Sequence, residues 1–248
     1  GFLNTTTNLL DDQIVEKSGM SRELDSVKMS QGFVMANIGI KGTAEELKIP
    51  NINIWYHPCD KNKDIFPSLE TYYERPLDSD APAMITFPSI KAGEKKGDVS
   101  CQMLLIADWN WFSDYAHLTE HQREKNPQYQ ALKQKWLDKC LEILLRFFPQ
   151  VKEKIDFTDI STPLSIKHYI NAPSGGAVGL DQTPQRYANW SVQKQLDVTS
   201  PVKNLYMTGQ DQLVCGVVLA QLSGVITAFR MGGFLPSLRI ILQSIFLI

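Results

Sequence analysis

The chain has 248 residues, 25 Lys+Arg against 27 Asp+Glu, a net charge of −2, 43% hydrophobic residues and 21% charged residues. This balance excludes a disordered tail, a collagen, a coiled coil and a basic nucleic-acid-binding domain. A chain of this length buries roughly 70–75% of its unfolded surface, as one large domain or two small ones.

Residues 1–31 are mostly polar, lack the apolar stretch of a signal peptide, and show a short helical pattern around Asp11–Lys17. Gly32–Ile40 (GFVMANIGI) then reads as a strand. Ile52–Tyr56 alternates with Asn and predicts a second strand, ended by His57-Pro58. Asp60–Asp64 reads as a charged turn. Ala83–Phe87 predicts a third strand and Cys101–Ala107 a fourth, with a surface hairpin or loop at Lys91–Asp98 between them. The first part of the chain is therefore expected to form a mostly antiparallel sheet.

The clearest helix is predicted from about Pro127 to Phe148. Asn126 is placed to cap it, Pro127 suits its first position, and Tyr129, Leu132, Trp136, Cys140, Leu144 and Phe147 form one apolar face. Phe157–Ile170 reads as extended structure broken by Pro163, and Asn204–Thr208 as a short apolar strand. Val214–Met231 predicts an apolar helix buried on most sides. From Gly233 the chain reads GFLPSLRIILQSIFLI, shorter than the roughly 20 residues that span a bilayer. This tail fits a buried terminal helix, an interfacial membrane anchor or the start of a longer span.

The pattern carries none of the common catalytic signatures. The four cysteines, Cys59, Cys101, Cys140 and Cys215, are far apart, so no zinc site or disulfide framework is expected. His117 and His121 stand four residues apart without completing H-E-x-x-H and are expected to be solvated in a loop, so no metal is expected. There is no G-x-S-x-G, no Walker A sequence and no G-x-G-x-x-G. Trp109, Trp111 and Phe112 fit either the wall of an apolar tunnel or an aromatic core. Tyr187 and Tyr206 fit either a proton donor or a structural tyrosine. Arg186 fits a phosphate partner or an ion pair with Asp181. Short Lys runs such as Lys95-Lys96 make no basic patch, so nucleic-acid binding is not expected.

The most distinctive segment is residues 200–224. It reads as a strand, a tight turn at Gly209, an acidic residue at Asp211 and a helix start near Val214–Val218. Such a corner suits an anion or an electron-rich ring; it also suits an ordinary βα turn.

N-L-Y-M-T-G-Q-D (Asn204–Asp211) closely resembles a segment of the retinol saturase and carotenoid isomerase branch of flavin-dependent oxidoreductases, within the phytoene desaturase and amino-oxidase-like superfamily. G-G-A-V-G-L-D-Q-T-P-Q-R-Y (Gly175–Tyr187) resembles a second segment of that branch. Gly32–Ile40 and Lys41–Pro50 resemble its central substrate-domain strands. The resemblance implies an α/β fold of mixed type: the C-terminal part of a two-domain FAD-binding fold. A substrate-binding-type domain would span 1–170, the closing strand–turn–helix of the FAD domain 171–232, and an apolar tail 233–248. It further implies FAD as cofactor, with NAD(P)H as a possible electron donor, and a conjugated isoprenoid as substrate of a reductase or isomerase. Gly209, Gln210 and Asp211 would lie against the FAD ribityl and pyrophosphate portion. The amides of Cys215, Gly216 and Val217 would face the flavin ring. Gly175, Gly176, Gly179, Asp181 and Arg186 would form a loop on the substrate side.

Three features depart from that pattern. G-x-G-x-x-G is missing, so a second chain or a missing N-terminal half carrying it is the expected partner. Leu219 stands where the branch often has glycine, and Val178 where it often has tyrosine. The apolar tail implies peripheral membrane association, with the compartment open between endoplasmic reticulum, plastid and others. A catalytically inactive structural or accessory subunit of a membrane-associated assembly is the alternative.

Overall fold

The computed structural model describes residues 1–20, 27–59, 64–94 and 96–246. Most of the expected turn at Asp60–Asp64, Lys95 of the Lys95-Lys96 run and the last two residues of the apolar tail lie outside the described residues. In chain order the main elements are α1 (Asp12–Ser18), β1 (Gly32–Ile40), β2 (Ile54–Tyr56), α2 (Phe66–Glu74), β3 (Ala83–Thr86), β4 (Val99–Ala107), α3 (Pro127–Phe147), β5 (Ile155–Ser161), α4 (Pro163–Ile170), α5 (Pro184–Ala188), α6 (Trp190–Gln195), α7 (Val217–Gly232) and α8 (Phe234–Phe246). The fold is mixed α/β. It divides into two compact units, Gly32–Tyr169 and a second made of Gly1–Gln31 with Ile170–Ile248. Residues 1–31 therefore group with the C-terminal segment, whereas the sequence placed them with residues up to 170.

The Gly32–Tyr169 unit is built on a five-stranded antiparallel sheet of order β2-β3-β4-β1-β5. Alternation along β1 sorts its side chains by face: Val34, Ala36, Ile38 and Ile40 are buried, while Phe33, Met35 and Asn37 stand half-buried on the other face. The buried face shares one core with Trp136, Cys140, Ile143 and Leu144 of α3. Asn126 caps α3 as expected, accepting from the Tyr129 N–H at 2.9 Å. Trp111 stacks on Trp136 at 5.5 Å and Phe112 is fully buried, so this aromatic segment is core rather than tunnel wall. Burial pushes the Cys101 and Cys140 thiols up to about 12, while Cys59 is exposed and Cys215 half-buried.

The expectation for Phe157–Ile170 holds only in its first half. The strand ends at Ser161, and Pro163–Ile170 is a helix. Pro163 supplies the fixed φ of a first helical turn. Thr162 Oγ1 accepts from the Leu164 N–H at 3.3 Å, and Ser165 Oγ accepts in return from the Thr162 N–H at 3.3 Å. His121 lies on the short helix Glu120–Glu124 rather than in a loop; both His117 and His121 are exposed. Among the described residues no group of His, Cys, Asp and Glu could hold a metal ion.

The second unit has a smaller core of Phe2, Val15, Met20, Val27, Leu180, Val192, Leu196 and Met207. Asp11 caps α1 through the Gln13 N–H at 2.8 Å, and Gly19 ends it at φ +70°. Asn204–Thr208 is not a strand. It contributes one bridge, Thr199 with Tyr206, and Asn204 turns back at φ +65°. The expected strand–turn–helix is thus a turn and a helix only. The helix, α7, also reverses its expected burial: Ser223 and Thr227 are its buried residues, and Val217 and Val218 are 75% and 74% exposed. Among the described residues no helix is long and apolar enough to cross a membrane.

Candidate functional site

The two distinctive sequence segments meet in the second unit. Backbone pairing sets the first of them. The Ser30 N–H donates to Gly179 O at 2.8 Å, the Asp181 N–H to Lys28 O at 2.8 Å and the Ala177 N–H to Gln31 O at 3.2 Å. These backbone bonds tie Ala177–Asp181 to Lys28–Gln31, with one bridge, Met29 with Leu180. Gly176 lies so close to that segment that a Cβ there would stand 2.9 Å from Ser30 O.

Asp211 joins the second segment to the first. Its carboxylate accepts from the Leu180 N–H at 2.9 Å and from the Phe2 N–H at 2.8 Å, and the residue is buried. Gly179 makes this approach possible: at φ +76°, a Cβ on it would lie 2.2 Å from Asp211 Oδ1.

Arg186 closes the corner from the other side. It is 0% exposed, and its guanidinium donates to four backbone carbonyls. Nη1 reaches Leu180 O at 3.0 Å and Asp181 O at 3.3 Å; Nη2 reaches Asp211 O at 2.5 Å and Leu213 O at 3.2 Å. Neither sequence-based role for Arg186 survives. It is not a surface ion pair, because it meets the carbonyl of Asp181 and not its carboxylate; Nη1 and Nη2 are turned into the backbone rather than toward a phosphate, and Nε is buried with no partner among the described residues. The Asp181 carboxylate instead accepts from the neighbouring Gln182 N–H at 2.9 Å. Tyr187 lies beside the guanidinium, ring centroid 5.2 Å from Cζ, and its hydroxyl donates to Leu213 O at 3.2 Å.

α7 grips the Gly209 turn through its two buried hydroxyls. Ser223 Oγ accepts from the Gly209 N–H at 2.6 Å and donates to Ala220 O at 3.0 Å. Thr227 Oγ1 bonds Met207 O at 3.1 Å. Gly209 has φ +113°, and the space beside it is open except for Gln212 Oε1 at 3.9 Å from the position of a Cβ. That oxygen is buried with no partner among the described residues.

A cavity of about 260 Å³ opens at this corner. Gly176, Gly179, Gly209, Gln210 and Asp211 line it, together with Thr208, Met29 and Pro173. Gly175, Asp181, Arg186, Cys215, Gly216 and Val217 do not. Gly175 and Arg186 lie behind the wall, buried. Cys215, Gly216 and Val217 form the entry to α7, where Gly216 has φ +120°, no side chain caps the first turn, and nothing lies within 4 Å of a Cβ position. The sequence reading missed Met29, Ser30, Ser223 and Thr227. Ser223 and Thr227 had a signal, an i, i+4 hydroxyl pair in a helix whose other polar side chains are Gln221 and Arg230; residues 29 and 30 had none.

No family model matches the chain, and no solved structure matches it. Curated proteins do. The chain is 28% identical over 227 residues to an all-trans-retinol 13,14-reductase of Macaca fascicularis, covering 88% of this chain and 36% of that protein. It is 26% identical over 235 residues to an all-trans-retinol 13,14-reductase of Danio rerio, covering 92% and 38%. It is also 24% identical over 224 residues to an inactive all-trans-retinol 13,14-reductase of Danio rerio, covering 87% and 36%. The chain is therefore similar over about nine-tenths of its length to all-trans-retinol 13,14-reductases, and it spans 36–38% of the length of these relatives.

Proposed function

We propose that the chain is part of an FAD-dependent oxidoreductase that saturates a conjugated double bond of a retinoid. The observation that carries this reading is the convergence of the two branch-like segments on one cavity, at Gly179, Gly209 and Asp211. The names of the relatives favour a reductase over an isomerase.

The residues present fit part of a flavin dinucleotide. Gly209 leaves its backbone open beside the cavity, Gln212 Oε1 offers a buried acceptor without a partner, and the first turn of α7 carries uncapped N–H groups. The cavity volume, about 260 Å³, lies below the roughly 300–1,000 Å³ of small-molecule sites and suits one portion of the cofactor. We assign the remaining portion to a G-x-G-x-x-G unit outside these 248 residues, on a second chain or elsewhere in a longer one. FAD, when bound, supplies hydride exchange with the double bond, and NAD(P)H is the proposed electron donor. The part played by this chain is positional. Asp211 and Arg186 hold the Gly209 turn against the Gly179 loop, and the α7 amides offer partial positive charge to an electron-rich ring. The apolar residues of 233–248 are the proposed contact with a membrane that holds the substrate.

The inactive relative and Leu219 favour a second reading, an accessory subunit without turnover. Purification from the native source separates the two. The absorbance bands of oxidised flavin, a G-x-G-x-x-G sequence on the same or a co-purifying chain, and saturation of all-trans-retinol establish the enzyme. A colourless protein, stably associated with other chains and without retinol turnover, overturns it in favour of the accessory role. Stoichiometric flavin on the 248-residue chain alone would overturn the assignment of half the cofactor site to another unit.

A further inference from the structure

The tripeptide Asn-x-Ser/Thr, with x other than proline, occurs twice in the chain, at Asn4-Thr5-Thr6 and at Asn189-Trp190-Ser191. The structure separates the two. Asn4 is half-buried and its side chain is occupied: Nδ2 donates to Asn171 O at 2.5 Å, and Oδ1 accepts from Asn8 Nδ2 at 3.3 Å. Thr6 is 0% exposed, and its hydroxyl turns back on Phe2 O and Leu3 O. Asn4 also lines the cavity at the Gly209 corner, so a group attached to it would fill the candidate site. The second tripeptide is arranged differently. Asn189 stands between α5 and α6 with extended backbone, φ −91° and ψ 107°. Its Oδ1 caps α6, accepting from the Ser191 N–H at 3.0 Å and the Val192 N–H at 3.4 Å. Asn189 Nδ2 and the Ser191 hydroxyl have no hydrogen-bond partner among the described residues. Ser191 is exposed, and Trp190 is 72% exposed.

We infer that Asn189 is a modification site that carries an N-linked oligosaccharide, and that Asn4 is not. The donor is an oligosaccharide joined to a polyprenyl pyrophosphate, brought by a transferring enzyme that reads the hydroxyl two residues after the acceptor. Asn189 Nδ2 forms a bond to C1 of the first sugar and releases one proton. The C1–O bond to the lipid breaks, and its electron pair leaves on the pyrophosphate; nothing is oxidised or reduced. Modification and fold do not compete, because the sugar takes Nδ2 while the helix cap uses Oδ1. Nor does α6 resist the enzyme. At six residues it is too short to hold without tertiary contacts, so the tripeptide is extended while the chain is being made. The exposed indole of Trp190 gives the apolar face of a sugar ring a surface to cover. A glycan at Asn189 places the α5–α6 surface in the lumen of the secretory pathway. The inference is independent of the flavin reading, since an enzyme and an accessory subunit would carry the glycan alike.

The test starts from the protein purified from its native source and treated with an amidase that removes N-linked oligosaccharides and leaves aspartate at the acceptor. A gain in gel mobility is expected, with the peptide containing Asn189 found by mass spectrometry as its aspartate form only after treatment. Three variants expressed in the same cells locate the site. Ser191→Ala removes the hydroxyl that the enzyme reads and keeps the Asn189 cap. Asn189→Asp removes the acceptor nitrogen and keeps a capping oxygen. Both are expected to abolish the mobility gain while circular dichroism stays unchanged. Asn4→Gln is expected to leave the mobility gain intact. An unmodified Asn189 in the native protein overturns the inference. So does a mobility gain that survives Ser191→Ala and Asn189→Asp, or one that disappears in Asn4→Gln.

Discussion

Arg186 and Asp211 brace the same corner in opposite senses. Arg186 Nη2 donates to the Asp211 carbonyl at 2.5 Å, while the Asp211 carboxylate accepts from the Leu180 N–H at 2.9 Å, and Arg186 Nη1 returns to Leu180 O at 3.0 Å. Both links run between the Gly175–Tyr187 segment and the Gly209–Asp211 turn. The two segments that carry the family resemblance are thus one structural device.

Removing Arg186 leaves buried carbonyls without donors, at roughly 1–3 kcal/mol for each group that water cannot reach. Arg186→Ala is expected to destabilise the Gly1–Gln31 and Ile170–Ile248 unit by at least about 3 kcal/mol. Arg186→Lys recovers little, because an ammonium cannot reproduce the planar fork. Asp211→Ala removes the acceptor of two backbone N–H groups, and the double variant is expected to cost less than the sum of the singles. Urea unfolding of the three variants measures this; strict additivity would mean that the two residues act independently.

Gly179 is expected to tolerate no side chain. A Cβ there meets Asp211 Oδ1 at 2.2 Å in addition to adopting φ +76°, whereas Gly19 has φ +70° with open space around it. Gly19→Ala therefore carries only the left-handed strain, about 1–2 kcal/mol. Gly179→Ala adds overpacking of about 1–3 kcal/mol. Comparison of urea midpoints checks the difference, and equal costs would show that Asp211 yields freely.

The Gly32–Tyr169 unit carries an acid-sensitive pair. Burial pushes the Asp80 carboxyl up, but hydrogen bonds from Tyr56 and Arg146 and the charge of Arg146 at 2.7 Å outweigh it and hold the carboxyl below the usual range. A carboxyl lower in the folded than in the unfolded state contributes stability above its unfolded value of about 3.9, and that contribution is lost as pH falls through the folded value. The pair is partly exposed, so the contribution is modest, about 1 kcal/mol or less. Asp80→Asn is expected to lower stability at neutral pH and to flatten the decline below about pH 4. Unfolding measured from pH 7 to pH 3 tests it; an unchanged acid slope in the variant would remove Asp80 from the account.

Local pattern was enough for elements whose signals are local. Gly32–Ile40 was legible from its apolar run, and the Pro127 helix from a cap, a first-turn proline and one apolar stripe. Position in the fold was not. Asn204–Thr208 looks like a strand by composition but pairs with Val198–Ser200 across a single bridge, Thr199 with Tyr206. Pro163 looks like a strand breaker, yet the Thr162 and Ser165 hydroxyls make it the start of a helix. Arg186 was legible as important and illegible in role, because its partners are backbone carbonyls, which leave no mark in sequence.

α7 shows the same limit most sharply and yields the last prediction. An apolar helix is expected to lose stability when its apolar residues are replaced. Here Val218 is 74% exposed, and the buried contacts belong to Ser223, which takes the Gly209 N–H at 2.6 Å, and to Thr227, which bonds Met207 O at 3.1 Å. Val218→Ser is therefore expected to change the stability of the chain by no more than about 0.5 kcal/mol. Ser223→Ala leaves the Gly209 amide without an acceptor and is expected to cost about 1–3 kcal/mol. Because that amide fixes the turn lining the cavity, hydrogen exchange at Gly209 should accelerate in Ser223→Ala and stay unchanged in Val218→Ser. A larger loss from Val218→Ser than from Ser223→Ala would mean that α7 is held by its apolar face after all.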